Sequence, residues 1–176
     1  MSCTVTSGIA RGGCKDNTPG IVEAYIINYP EGYAGTEWFT VGTSSTVESA
    51  IGLSASMYTF VPTKNTSSYS SKMVISNTTV GYNHMINLSF AKNDTEKRDL
   101  IKILAQANLV AIVRDKNEKY WLAGAQNGLE VSEGTFDSGI QLGDENMWTI
   151  TLSSGEPEPM IEVSASIISD LLVVVP

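Results

Sequence analysis

Basic residues are scarce in this chain. Eleven Lys and Arg stand against nineteen Asp and Glu in 176 residues, a formal net charge of −8, and the sequence pI is near 4.6. Proteins that hold a nucleic-acid backbone displace counterions with Lys and Arg. The balance therefore disfavours stable nucleic-acid binding, but it is compatible with nucleic acid passing by without sticking. Cysteine is almost absent: Cys3 and Cys14 are the only two, too few for a disulfide framework. Two free thiols or one bridge closing a short loop both remain open. Long apolar runs are missing as well. None exceeds five residues, the length of Leu171 to Val175, far short of a membrane span. The opening MSCTVTSGIARGG has no apolar core of signal-peptide length, so neither a membrane nor export by an ordinary signal is expected.

Reactive groups are equally thin. His84 is the sole histidine. With Cys3 and Cys14 it falls short of a metal-ligand set, and no local signature marks a cysteine nucleophile served by it. A satisfied core or interface histidine is the expected role. Asp137, Asp144 and Glu145 lack the alternate spacing of an EF-hand and read as a solvated turn. The glycines at 139 and 143 are followed by no lysine and open no helix, unlike a phosphate loop. Catalysis, cofactor and metal are thus not expected.

What is present is β-forming sequence. Apolar residues make up 42% and charged residues only 17%, which argues against disorder, and a length of 176 residues suggests one domain. A chain of this length buries roughly 70% of its unfolded surface. A charge-poor surface rich in Ser, Thr and Asn fits a protein that covers itself with other chains. It fits a secreted β protein too.

Residues 1–20 form a glycine-rich arm with a short strand at Cys3 to Thr6. A domain over 21–155 follows, then a linker and terminal strand over 156–176. Ile21 to Tyr29 is a strand by its apolar, β-branched density. Glu37 to Val41 and Met57 to Val61 give short strands, and Ser44 to Leu53 is weakly β. Thr63 to Ser71 is polar and reads as a loop that orders on contact with a neighbour. Lys72 to Ser76 and Val80 to Phe90 make a hairpin turning at Asn77. Val80, Tyr82, His84, Ile86, Leu88 and Phe90 share one face by period two.

One helix is expected over about 94–108, capped by Asn93 with Glu96 in a capping box. Leu100, Ile103, Leu104 and Ala107 form its apolar stripe. Leu109 to Val113 is a strand, and Asp115 to Glu118 turns into Lys119 to Ala125. Tyr120 to Ala123 and Met147 to Leu152 then read as two paired strands around a glycine-rich loop. That loop contains Gly124, Gly128, Gly134, Gly139 and Gly143, residues that permit tight turning. Many strands, one helix and no βαβ alternation point to an antiparallel β-sandwich or barrel with a flanking helix.

Two segments carry a likeness. CTVTSGIARGGCKDNTPGIVEAYIINY, with Cys3, Cys14-Lys15-Asp16 and Gly20-Ile21, and the stretch from Tyr120 to Met160, with Asn127-Gly128-Leu129 and Gly143-Asp144, resemble virion structural proteins of tailed phages. The similarity is to the crAss-like and related phages of Bacteroidota. It covers about half of the chain, and Gly12-Gly13 and Pro19 depart from it.

The resemblance implies a tail-tube or ring-like subunit of the virion, assembled in the host cytoplasm. Identical subunits would close into a ring, commonly of six or twelve, beside neighbouring tail, neck or portal proteins. DNA would pass through the ring during ejection without specific binding. Assembly contacts are then expected at Cys3, Cys14, Lys15, Asp16, Asn127, Gly128, Leu129 and Asp144. A second reading is a carbohydrate- or surface-binding β-sandwich of a fibre or adhesin, using an exposed Trp38, Trp121 or Trp148. A hydrolase pairing His84 with a nucleophile is the third.

Overall fold

The structure, a computed structural model, describes residues 7–9, 17–30, 39–42, 45–50, 57–141, 144, 146–170 and 173–174. The expected strand at Cys3 to Thr6 lies outside them, as do Cys14, Lys15, Asp16, Trp38 and Glu145. The elements in chain order are β1 (Ile21–Asn28), β2 (Phe39–Val41), β3 (Thr46–Ala50), β4 (Met57–Phe60), β5 (Ser68–Ile75) and β6 (Val80–Ala91). There follow α1 (Thr95–Leu104), β7 (Leu109–Asp115), β8 (Tyr120–Ala123), β9 (Glu130–Asp137), β10 (Met147–Glu156), β11 (Ile161–Val163), α2 (Ala165–Asp170) and β12 (Val173–Val174). They form an eight-stranded sheet, β12-β4-β1-β7-β8-β11-β3-β2, and a four-stranded sheet, β5-β6-β10-β9. The fold is mainly β, a sandwich with a flanking helix, and it does not close into a barrel.

The sequence patterns follow from which faces are covered. β1 and β7 read as near-continuous apolar runs because both of their faces are buried. Ala24 and Ile26 of β1 join Ala111 and Val113 of β7 in one core, packed on Ile86, Leu88, Ile150 and Leu152 of the small sheet. Tyr25, Ile27, Val110 and Ile112 point the other way, into a second core. That second core also holds Phe39 and Val47 from one end of the large sheet, Met57 from near the other, and Ile167 and Ile168 of α2. The large sheet therefore curls around it. β6 alternates because only its inner face is covered: His84, Ile86 and Leu88 are buried, whereas Val80 beyond the core is exposed.

Several expectations are corrected. Tyr120–Ala123 and Met147–Leu152 do not pair. The first is β8, bonded to β7 and β11 in the large sheet; the second begins β10, bonded to β6 and β9 in the small one. The glycine-rich stretch between them is no simple loop, since it contains β9. Aromatic and β-branched runs specify strands but not their partners.

The helix is capped by Asp94, not Asn93: its carboxylate accepts from the Lys97 amide at 2.8 Å. Asn93 instead bonds to Asn146. α1 ends at Leu104 rather than near 108, where the amides of Gln106 and Ala107 turn back to the carbonyls of Ile103 and Leu104. Its buried stripe is rotated from the expected one. Leu104 is buried, Ile101 and Ala107 pack beside it, and Leu100 and Ile103 are exposed.

The tail supplies a second short helix, α2, besides β11 and β12. Thr63 to Ser71 makes hydrogen bonds within the chain. β5 begins at Ser68, the Ser67 hydroxyl accepts from the Ser89 amide, and Thr66 Oγ1 donates to the Thr63 carbonyl.

Candidate functional site

Among the described residues, the small sheet has the two longest edge strands of the molecule. β5 pairs with β6 from Ser68↔Asn87 to Ile75↔Val80. β6 pairs with β10 along the length of β10, and β10 pairs with β9 from Met147↔Asp137 to Ser153↔Glu130, with a bulge near Thr151. β5 and β9, each of eight residues, are its two edges and have no other strand beside them among the described residues. Each edge strand leaves a row of amides and carbonyls to water or to another chain.

Register separates the two faces of this sheet. The inner row contains Tyr69, Ile86 and Leu152. The outer row contains Ser68, Ser70 and Lys72 of β5, Asn83, Met85 and Asn87 of β6, Thr149, Thr151 and Ser153 of β10, and Glu130, Glu133, Thr135 and Asp137 of β9. Hydroxyls and amides dominate it, and three carboxylates face a single lysine. Neighbouring strands are stitched across it: Thr151 Oγ1 donates to Asn87 Oδ1 at 2.6 Å, and Ser89 and Thr149 hydroxyls lie 3.1 Å apart.

Behind the sheet, two buried carboxylates fasten the loops. Asp115 ends β7. Its Oδ1 accepts from the amides of Asn117 at 2.8 Å and Lys119 at 2.9 Å. Its Oδ2 receives the Asn117 side-chain amide, the Trp121 indole at 3.4 Å and the Tyr69 hydroxyl at 3.3 Å. Tyr69 belongs to the small sheet and Trp121 to the large one, so one carboxylate ties the two layers. Burial pushes the Asp115 carboxyl up. The Lys119 amide, the Asn117 side chain and amide, and the Trp121 indole outweigh that and hold it below its ordinary value. The Tyr69 hydroxyl is pushed up to about 12 by burial and by the Asp115 charge.

Glu156, the last residue of β10, is the second. Its carboxylate accepts from the amides of Gln126 at 3.1 Å and Asn127 at 3.0 Å and from the Ser154 hydroxyl at 2.9 Å. His84 lies beside it. Nε2 bonds the Glu158 carbonyl at 3.0 Å, and Nδ1 accepts from the Gly124 amide at 3.5 Å, which places the ring proton on Nε2. Burial lowers the His84 pKa, partly opposed by Glu156 and the Glu158 carbonyl. The ring is neutral at pH 7, and main-chain groups occupy both nitrogens.

The residues expected at assembly contacts have other work. Leu129 is fully buried and exchanges backbone hydrogen bonds with Leu109, so it is a core residue. Gly128 has φ +79°, and a Cβ there would collide with the Asn108 side chain. Asn127 is held by Glu156 through its amide and by the Gly155 carbonyl through its side chain. Asp144 closes a turn, its Oδ2 accepting from Ile140 at 2.8 Å and Gln141 at 2.7 Å. The stretch thus anchors the loop inside its own subunit. Cys3, Cys14, Lys15 and Asp16 lie outside the described residues.

Of the tryptophans, Trp121 and Trp148 are described, and each has a partner within the chain. Trp121 is half-buried with its indole bonded to Asp115. Trp148 packs on Phe136 with ring centroids 4.7 Å apart. Among the described residues no group of three His, Cys, Asp or Glu side chains gathers as a metal site, and no helix is long and apolar enough to cross a membrane. The free edges went unnoticed in the sequence because edge status depends on which strands pair, and Ser-rich β5 and Gly-bearing β9 give weak strand signals. Comparison with protein-family models, with curated proteins and with solved structures finds no match for this chain.

Proposed function

We propose that this protein is a structural subunit of a phage tail tube or of a neck or tail ring, closing with identical copies around a channel for DNA. The observation that carries the reading is the four-stranded sheet with two edges of equal length that no other strand covers among the described residues. Joining β5 of one copy to β9 of the next is a heterologous contact, and a rotation that closes gives a ring. Every edge amide then finds a partner.

Six copies would bring about 24 strands at roughly 4.8 Å spacing, a circumference on the order of 115 Å before strand tilt widens it. Such a barrel leaves a lumen wide enough for a double helix. The outer row of the sheet would line it. Its Ser, Thr and Asn side chains, with Glu130, Glu133 and Asp137, present the surface along which a polyanion slides without being held.

The purified protein is expected to give annular particles with an axial hole in negative stain. Their mass should be an integral multiple of the 18.9 kDa chain by native mass spectrometry. A monomer that persists at every concentration, with no annular particle, would overturn the reading.

A further inference from the structure

β6 has an apolar overhang at one end and an apolar groove at the other. Past the Tyr82↔Glu156 pair β10 ends, and the β5–β6 hairpin continues alone through Val74↔Gly81 and Ile75↔Val80. Met73, Ile75 and Val80 lie on the inner side of the strands but have run beyond the core. All are more than half exposed, Ile75 to 71%. At the opposite end, after Ala91, α1 lies against β1 and β4 and encloses an open groove of about 680 Å³. Tyr58, Val61, Phe90, Leu100, Ile103 and Leu109 line it, with Ile103 64% exposed.

Charge says what fits there. Lys72 is the only Lys, Arg, Asp or Glu from Ser68 to Ala91, so the hairpin is a cationic apolar element on a chain of net charge −8. The groove mouth carries Asp94 and Lys97, bridged to each other at 3.1 Å, and Glu96, which is in no salt bridge among the described residues. The net charge at the mouth is negative and faces an apolar trough.

We infer that the hairpin end of one copy seats in the α1 groove of another, with Met73, Ile75 and Val80 against Leu100, Ile103 and Tyr58, and Lys72 toward Glu96. Knob and groove differ, so the contact is heterologous and propagates. They sit at the two ends of one strand, about 33 Å apart along the ten rises from Val80 to Phe90. The contact therefore joins copies along the strands, whereas edge pairing joins them across the strands. If the ring reading above holds, the hairpin contact stacks one ring on the next.

The test uses the full chain with Cys3→Ser and Cys14→Ser. One preparation carries Ile75→Cys, another Ile103→Cys, and the two are mixed and oxidised with copper phenanthroline. The mixed disulfide dimer is expected at about tenfold the yield of a control mixture in which Ile140→Cys replaces Ile75→Cys, since buried central contacts dominate affinity. Equal yields in the two mixtures would overturn the contact.

Independently, Glu96→Lys should weaken association along this contact in sedimentation about tenfold, and adding Lys72→Glu should restore it. A double variant no better than the single one also overturns it. Loss of annular particles with the mixed disulfide intact counts against edge pairing and supports this contact. Separate rings without the mixed disulfide count for edge pairing and against this contact.

Discussion

Asp115 accepts five hydrogen bonds at the junction of the two sheets while almost wholly buried. A buried carboxylate is tolerable only when its lone pairs are met. Asp115→Ala strands those donors and is expected to destabilise the fold by about 3 kcal/mol, read as a lower urea midpoint.

His84 and Asp115 also set the response to acid. Both have folded pKa values depressed below the unfolded ones, so their stability is complete above the unfolded pKa and is lost as pH falls through the folded one. The loss from His84 begins just below its unfolded pKa of about 6.5, and that from Asp115 below about 3.9. Tm should therefore fall between pH 7 and pH 5, and His84→Gln should flatten that part of the profile. An unchanged slope in the variant would show that His84 is not the group that titrates.

At Gly128 the left-handed φ and the Asn108 side chain place the demand inside the subunit. Gly128→Val is expected to lower the thermal stability of the monomer itself by roughly 2 kcal/mol or more, not merely its assembly.

At the scale of elements, α1 shows how a correct helix can carry a wrong face. Leu100, Ile103, Leu104 and Ala107 fit one stripe by spacing alone, and Ile101 extends the apolar arc around the helix. Where such an arc is wide, packing decides which part is buried, and here Ile101, Leu104 and Ala107 lie on the core. Leu104→Asp should unfold the subunit by placing a charge in that core, at a cost of about 4 kcal/mol or more. Ile103→Asp should leave the circular dichroism and Tm of the subunit within about 0.5 kcal/mol of wild type. Equal damage from both would restore the stripe read from spacing. The cap has the same lesson: Asn93 and Asp94 are both cap formers, and the Lys97 amide chose the second.

For the whole molecule, the β5–β9 junction yields a directional test. Consecutive residues of an edge strand send their amides alternately to the neighbouring strand and outward. Ser70→Pro and Ser71→Pro, made separately, should therefore differ. The one whose lost amide points outward should keep the fold and abolish annular particles, and the other should destabilise the small sheet. If both variants retain annular particles in negative stain, β5 is not a joining edge.

By itself the sequence determined the class of the fold and its local pieces. Period two in Val80 to Phe90, the hairpin at Asn77, the turn at Asp115 to Glu118 and the near-continuous apolar runs of β1 and β7 are all short-range signals, legible because side-chain periodicity and turn chemistry act over a few residues. Tertiary structure alone decided the partners. Tyr120–Ala123 and Met147–Leu152 carry equivalent strand signals yet went to different sheets, because pairing is selected by contacts across the whole chain. The same choice left β5 and β9 as edges, turned Asn127, Gly128 and Leu129 inward to Glu156 and Leu109, and set an apolar hairpin and an apolar groove at opposite ends of β6.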